Sequence, residues 1–133
     1  MDVPFPRALH TVLDSTDARA LAEFYRALLG LRYRDGDDGT GPADWLVLTE
    51  GDGTRVLAFQ QVDDLPRPTR PAGTVPQQVH VDFTVPDREV LEHHQRRALD
   101  LGATLLLDRT DDPDEPLYVD ADPAGHPFCL FVA

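Results

Sequence analysis

Apolar and polar positions follow a pattern that changes period along the chain, and the changes come in the same order in both halves. In the first half, a strand-like run precedes a stretch with helical spacing and three more strand candidates: ALHTVLD, then the helix, then LRYRD, WLVLTE and RVLAFQQV. The second half repeats this order with VHVDFTV, the helical stretch DREVLEHHQRRALDLG, and then TLLLD, PLYVDAD and HPFCLFVA. Each half is therefore predicted to be a βαβββ unit that needs its twin to cover one face of its sheet.

Both predicted helices carry an apolar stripe and the residue types that begin and end helices. The stripes consist of Leu21, Phe24, Tyr25, Leu28 and Leu29 in the first helix, and of Val90, Leu91, Ala98 and Leu101 in the second. Asp17 and Asp87 are predicted to be N-caps, while Gly30 and Gly102 are placed to end the helices. Each aspartate follows a histidine after six intervening residues, so the same strand-to-helix junction is marked twice.

A proline-rich segment separates the two halves. Residues 64–78, DLPRPTRPAGTVPQQ, contain four prolines and no apolar periodicity, so they are predicted to be an extended connection. We therefore expect one domain over residues 1–133, made of a module at 8–62, this linker at 64–78 and a second module at 79–133. Within the first module, the GDGT sequence is typical of a hairpin turn between two strands.

The first strand of each half places its histidine on a polar face. Because side chains alternate along a strand, His10, Val12 and Asp14 share one face. In the second half the alternation is sharper, with one set facing the helix and the other facing away: Val81, Phe83 and Val85 against His80, Asp82 and Thr84. A sheet with helices on one face and polar residues on the other either shows that face to water or folds it around a polar cavity.

Composition and charge exclude several classes of protein. The chain has 133 residues, of which 41% are hydrophobic and 27% charged, which is typical of a globular protein with a core. Its net charge of -12, without any Lys/Arg cluster, disfavours binding to nucleic acid or to an anionic membrane. No apolar run is long enough to span a membrane, the N-terminus has no signal-sequence pattern, and a single cysteine cannot form an internal disulfide. We therefore expect a cytoplasmic location.

Three stretches of the sequence resemble the vicinal oxygen chelate superfamily, which includes glyoxalase I, bleomycin-resistance proteins and extradiol dioxygenases. They are HTVLDSTDARALAEFYRALLGL, HVDFTVPDREVLEHHQRRALDLGA and DPAGHPFCLF, and the chain is most similar to the glyoxalase-like domain branch. The resemblance implies an α+β fold in which two βαβββ modules form an incomplete barrel around a cleft, with the helices on the outer face. It also implies a small-molecule ligand or substrate and a homodimer.

The resemblance further implies a set of inward-facing ligand positions. Carried onto this sequence, the metal ligands of the superfamily fall on His10, His80 and Gln60, and Cys129 stands where a glutamate is usual. The metals implied are divalent: zinc, nickel, iron or manganese. Asp82, on the same strand face as His80, and Trp45, after an acidic glycine-rich loop, are further candidates for contact with a ligand.

The chemistry of these donors favours a cavity whose metal is lost or weakly held. Gln60 offers a neutral amide oxygen, and Cys129 offers a soft thiolate that suits zinc better than a hard, oxygen-rich centre. A bound metal stays open as an alternative, because Asp82 lies about 6.5–7 Å along the strand from His80 and brings in a carboxylate. Cys129 itself has two interpretations, an inert core residue or a thiolate activated by a nearby cation.

Three classes of function are consistent with these features. The first is an enzyme, a lyase or dioxygenase of the vicinal oxygen chelate type, that acts on a small oxygen-bearing metabolite. The second is a metal-free protein that sequesters a small molecule without chemistry, for which the acidic composition suits a cationic ligand. The third is a structural or regulatory partner domain. The residues support a cavity more strongly than they support any particular reaction.

Overall fold

The two halves of the chain form the same succession of elements, as the hydrophobic pattern predicts. The computed structural model describes residues 2–69 and 73–133, so Met1 and residues 70–72 of the proline-rich segment lie outside the described residues. The first half contains β1 (Thr11–Ser15), α1 (Ala18–Leu29), β2 (Arg32–Tyr33), β3 (Trp45–Thr49) and β4 (Arg55–Gln61). The second half contains β5 (Val81–Val85), α2 (Arg88–Leu101), β6 (Thr104–Arg109), β7 (Leu117–Ala121) and β8 (Pro127–Val132).

Each half builds a four-stranded sheet that has the first strand of the module at one edge. The strand orders are β1-β4-β3-β2 and β5-β8-β7-β6, and in both sheets this edge strand runs parallel to the last strand of its module. Within the described residues, the two sheets do not close into a barrel. The fold is therefore α+β, with two βαβββ modules around an open cleft, and the fold class predicted from the sequence is confirmed.

Both helices begin and end at the residues that the sequence indicates. The Asp17 carboxylate accepts the N–H of Ala20 at 3.1 Å, and the Asp87 carboxylate accepts the N–H of Val90 at 2.9 Å. Gly30 ends α1 with a φ of 68°, in the left-handed region that glycine adopts without steric cost. Across the described residues, neither helix has the length and apolar character needed to cross a membrane.

The buried face of α1 matches most of its predicted stripe, whereas in α2 the prediction is confirmed for Leu91 and Ala98 but not for Leu101. In α1 the buried residues are Ala18, Leu21, Ala22, Phe24, Tyr25 and Leu28. In α2 they are Leu91, Gln95 and Ala98, and Leu101 is 38% exposed. The prediction is wrong for Leu101 because the buried face of α2 is narrower than the predicted stripe and is centred on the line of Leu91, Gln95 and Ala98. That side carries Gln95, whose amide binds a buried carboxylate.

The carboxylate that explains the position of Gln95 belongs to Asp120 in β7. Asp120 is fully buried, and its Oδ1 accepts a hydrogen bond from Gln95 Nε2 at 2.8 Å. Asp120 Oδ2 and Gln95 Oε1 have no hydrogen-bond partner within the described residues. Burial raises the pKa of Asp120 to about 6, although the Gln95 hydrogen bond acts in the opposite direction. A protonated Asp120 has an O–H donor, which is what the unpartnered amide oxygen of Gln95 lacks.

A second buried carboxylate joins the two modules. Asp122, in the turn between β7 and β8, is 1% exposed, and Tyr25 of α1 donates its hydroxyl to Asp122 Oδ2 at 2.7 Å. The turn supplies the other donors: the backbone N–H groups of Ala124 and His126 reach Oδ1, and His126 Nδ1 lies 2.9 Å from Oδ2. Burial, followed by the charge of Asp122, raises the pKa of Tyr25 well above its usual value. The Tyr25 hydroxyl therefore stays a donor.

Aromatic and backbone contacts extend this connection between the modules. The Tyr25 ring lies 5.9 Å from the ring of Phe59 in β4 and 6.0 Å from the ring of Phe128 in β8. At the end of α1, the guanidinium of Arg97 in α2 donates to the Ala27 carbonyl at 2.6 Å. Carbonyls in the last turn of a helix have no intrahelical partner, so Arg97 satisfies one of them. Helix α1 thus packs against both modules.

We expect Tyr25→Phe to lower the free energy of unfolding by about 1–3 kcal/mol, because a buried carboxylate loses one of its donors while the ring is kept. Tyr33→Phe is the matched control, since the Tyr33 hydroxyl donates to the exposed Glu23 and its loss should cost less than about 1 kcal/mol. Urea unfolding of the wild type and both variants measures the two values. Equal losses would contradict a special role for Tyr25 at the junction.

The raised pKa of Asp120 makes stability depend on pH in a defined direction. Asp120 binds its proton more tightly in the folded state than in the unfolded state. Its contribution to the free energy of unfolding is therefore complete below the unfolded pKa of 3.8 and is lost as the pH rises through about 6. A pKa raised from 3.8 to about 6 corresponds to about 3 kcal/mol of folding stability at low pH. Asp120→Asn removes the charge at nearly constant size. At about pH 7.5 this variant should therefore be more stable than the wild type, and the difference should shrink toward about pH 4.

Urea unfolding at several pH values measures this difference, with Asp63→Asn as a control at an exposed carboxylate. The control should follow the wild type at every pH. A wild type that gains stability relative to Asp120→Asn as the pH rises would show that Asp120 is ionised and stabilised in the fold.

Candidate functional site

The concave face of the first sheet, opposite α1, brings together residues from three strands. Strand pairing places Asp14 of β1 beside Gln60 of β4, and Gln60 beside Trp45 of β3. Side chains alternate along a strand, so these three point away from the chain neighbours that are buried against the helix: Leu13, Leu46 and Phe59. Two of the predicted ligand-contacting residues, Gln60 and Trp45, are therefore adjacent.

His10 is the third predicted residue on this face. It directly precedes β1, and its ring lies 5.9 Å from the ring of Trp45. Its Nδ1 atom is buried and has no hydrogen-bond partner among the described residues. Burial lowers the pKa of His10, and the guanidinium groups of Arg55 and Arg34 lower it further. The imidazole is therefore neutral at neutral pH and holds one unsatisfied buried nitrogen.

Two arginines, Arg34 and Arg55, lie close enough to His10 for their positive charge to lower its pKa. Arg34 makes an ion pair with Asp37, with 3.2 Å between Nε and Oδ2. Within the described part of the chain, the Arg55 side chain makes no hydrogen bond or ion pair. We refer to His10, Arg34, Trp45 and Arg55 as the His10 cluster. The net charge of -12 gives no indication of this local cationic character.

The second sheet carries the equivalent histidine. His80 directly precedes β5 as His10 precedes β1. Its Nε2 lies 3.5 Å from Asp82 Oδ1, and its Nδ1 lies 3.3 Å from the side-chain amide of Gln77. About half of each side chain is exposed, 50% for His80 and 51% for Asp82. The structure therefore brings His80 and Asp82 together at an exposed position.

Cys129 lies on the same sheet face as Asp82. The two residues pair across β5 and β8, and Cys129 is only partly buried. Phe128 and Leu130, one residue to either side, are buried in the core. This alternation favours a Cys129 side chain on the same face as Asp82 over an ordinary core position. Its side chain belongs to the face that the sequence resemblance assigns to ligands.

The candidate donors do not fit the metal centre that the resemblance implies. In residues 2–69 and 73–133, no group of three or more His, Cys, Asp or Glu side chains is arranged to hold a metal ion. The positive charges of Arg34 and Arg55 near His10 would repel a divalent cation. Gln60 is neutral and supplies no negative charge to offset this repulsion. His80 and Asp82 provide only two donors at an exposed position.

Sequence reasoning misses several residues near this face. Gln61, the neighbour of Gln60, turns toward the helix, and its Oε1 accepts the N–H of Ala18 at 2.9 Å. The alternation of the strand is the signal that separates these two glutamines. Arg34 and Arg55 have no comparable signal, because their proximity to His10 depends on pairing between segments that are distant in sequence.

Solved structures share this fold over nearly the whole chain, at low sequence identity. A glyoxalase/bleomycin resistance protein/dioxygenase family enzyme from Burkholderia phytofirmans is 14% identical, with a TM-score of 0.70, covering 93% of this chain and 96% of that one. A fosfomycin resistance protein from Mesorhizobium loti is 15% identical, with a TM-score of 0.68 and coverage of 98% and 94%. A lactoylglutathione lyase from Agrobacterium tumefaciens is 20% identical, with a TM-score of 0.63 and coverage of 98% and 96%. At these identities the likeness establishes the fold alone.

The family assignment comes from the sequence. No curated protein matches the chain. The family model of the glyoxalase-like domain, however, matches residues 10–131, which include both modules and all the candidate residues. The chain therefore belongs to the glyoxalase-like domain family, within the vicinal oxygen chelate superfamily.

Proposed function

We propose that the protein binds a small oxygen-bearing anion at the His10 cluster without a catalytic metal. The observation that carries this proposal is the buried, unpartnered Nδ1 of His10 beside the ring of Trp45. A buried polar atom without a partner is uncommon, because nothing compensates for its lost hydration. A ligand oxygen would satisfy this nitrogen and account for its position.

The charge around His10 indicates the class of ligand. The Arg55 guanidinium has no ion-pair partner among the described residues. The Arg34 guanidinium is partly neutralised by its ion pair with Asp37. Guanidinium groups bind carboxylates, phosphates and phosphonates through paired hydrogen bonds. Trp45, which is 38% exposed, adds a flat apolar surface. These features favour a small anion with an apolar portion over the cationic ligand that the net charge suggests.

The relatives support binding of a small molecule in general terms. The chain belongs to the glyoxalase-like domain family, and solved structures with the same fold are named for resistance to bleomycin or fosfomycin. A metal-free member of such a family, with a ligand held by hydrogen bonds and ion pairs, is the sequestering type of protein. The donor set described above supports this form more strongly than a metal-dependent enzyme.

An enzymatic function, as a lyase or dioxygenase, is the second candidate, and the His80–Asp82 pair favours it. A histidine 3.5 Å from a carboxylate is an arrangement used in general acid–base catalysis. A lactoylglutathione lyase shares the fold. Under this alternative His80 would itself accept or donate the proton, because the donors around His10 do not fit a divalent ion.

The exposed edge strand β6 supports assembly into a homodimer. Leu105, Leu106 and Leu107 are 45%, 41% and 43% exposed. Strand β6 lies at the edge of its sheet, beside β7 alone. An exposed apolar edge strand favours association of a monomer, because its unpaired backbone groups and apolar side chains can pair with another chain. We propose that a second copy of this chain covers it.

Trp45 is the only tryptophan in the chain, so intrinsic fluorescence reports directly on the His10 cluster. Titration with phenylphosphonate should change this fluorescence with saturation. His10→Ala should weaken the binding about tenfold, because it removes one hydrogen bond to the ligand. His93→Ala, at an exposed histidine of α2, is the control and should bind like the wild type.

Two results of this titration would contradict the proposal. One is equal affinity for phenylphosphonate in the wild type and in His10→Ala. The other is preference for benzylamine over phenylphosphonate, because the arginines of the His10 cluster should repel an ammonium group.

Cys129 stands where the superfamily usually has a glutamate ligand, and it pairs with Asp82 across β5 and β8. Replacing it with glutamate tests whether the missing carboxylate is what prevents metal binding. Cys129→Glu adds an anion near His80 and Asp82, so the variant should melt at a lower temperature than the wild type without metal. Added nickel should then raise its melting temperature in a concentration-dependent way. Cys129→Gln, the neutral isostere, is the control and should not respond. Stoichiometric binding of nickel by metal-stripped wild type, measured by calorimetry, would refute a metal-free site.

A further inference from the structure

An apolar cavity borders the sheet face that carries the His10 cluster and shares Val12 and Asp14 with that face. Its volume is about 480 Å³, which is within the range of small-molecule sites. It lies between β1, the segments 65–68 and 75–79, and the turn at 124–127. Valine, leucine and proline side chains form most of its wall, including Val12, Leu13, Leu65, Pro66, Val79 and Pro127. No residue of the His10 cluster lines it.

His126 lines this cavity, and one of its two ring nitrogens is hydrogen-bonded to Asp122. Nδ1 lies 2.9 Å from Asp122 Oδ2, and the same carboxylate accepts hydrogen bonds from the Tyr25 hydroxyl and from the backbone N–H groups of Ala124 and His126. These groups all donate to the Asp122 carboxylate, so Nδ1 carries a proton and Nε2 is the other ring nitrogen. Nε2 makes no hydrogen bond within the described residues. It is therefore the nitrogen that a molecule in the cavity can reach.

Among the described residues that line the cavity, Asp14 is the only aspartate, glutamate, lysine or arginine. Its carboxylate has no hydrogen-bond or ion-pair partner in the part of the chain that the structure describes. The guanidinium of Arg67, which packs against Gly125, donates to the Pro123 carbonyl and lines a neighbouring cavity instead. The cavity thus combines apolar walls with one carboxylate and one imidazole ring nitrogen that has no hydrogen-bond partner among the described residues.

We propose that this cavity is a second small-molecule site, which binds a compact amine with an aromatic or aliphatic body. The ammonium group donates to the Asp14 carboxylate and to His126 Nε2, and the body packs against the valine, leucine and proline walls. An anion is disfavoured, because it would approach Asp14 with no lysine or arginine among the described lining residues. This preference is opposite to that of the His10 cluster, so either proposal can fail without the other.

A matched series of probes tests the charge preference at nearly constant size. Tryptamine, tryptophol and indole-3-acetate share an indole ring and carry an ammonium, a hydroxyl and a carboxylate group. Proton–nitrogen correlation NMR of the wild-type protein should show tryptamine shifting the amide signals of Val12, Val79 and Gly125 and the ring nitrogens of His126. Tryptophol should bind about tenfold more weakly, and indole-3-acetate should not shift these signals.

Two variants separate recognition of the amine from effects on folding. Asp14→Asn removes the charge at nearly constant size and should weaken tryptamine binding about tenfold. Val79→Phe adds a ring inside the cavity from a side chain that is 37% exposed, and it should abolish binding. Val3→Phe, at a valine that is 68% exposed, is its control and should bind like the wild type.

The proposal is overturned by any of three results. The first is that tryptamine shifts no signal from the cavity residues at any accessible concentration. The second is that indole-3-acetate binds there as tightly as tryptamine. The third is that Asp14→Asn or Val79→Phe leaves the affinity for tryptamine unchanged.

Discussion

The Asp122 carboxylate is shielded from water, and its hydrogen bonds determine how the two modules meet. A buried ion is costly unless donors replace its hydration, and here Tyr25 supplies one donor from α1 while the turn itself supplies the rest. Tyr25 belongs to the first module and Asp122 to the second, so the carboxylate is satisfied when α1 packs against the β7–β8 turn. The same contact holds His126 at the wall of the 480 Å³ cavity. The shape of the cleft and the orientation of a candidate ligand group thus depend on one buried charge.

Asp120, two residues earlier in the chain, shows what happens to a buried carboxylate that has too few hydrogen-bond donors. It is as buried as Asp122, but it has a single hydrogen-bond donor, from Gln95, and its second oxygen is unpartnered within the described residues. Burial therefore raises its pKa to about 6. Asp122 is held by a network that joins the modules, whereas Asp120 favours a proton and makes the stability of the second module sensitive to pH.

The distribution of charge also differs between the whole chain and its candidate sites. A net charge of -12 attracts cations over long distances, yet Arg34 and Arg55 make the surroundings of His10 cationic. Toward the other end of β1, Asp14 lines a cavity whose described lining residues include no lysine or arginine. Over a few ångströms, a nearby unscreened group outweighs distant charges that solvent and salt screen. The two sites are therefore suited to ligands of opposite charge.

The sequence by itself determined the two βαβββ modules, the helix ends at aspartate and glycine, and the equivalent positions of His10 and His80. Periodicity and capping act over a few residues, so a short window of sequence contains them. The tertiary structure alone decided what surrounds those positions. Arg55 acts on His10 because strand pairing brings distant segments together, and Gln95 is buried because Asp120 lies across from it. Such contacts depend on packing and on the satisfaction of buried polar groups across the whole fold, which no local pattern specifies.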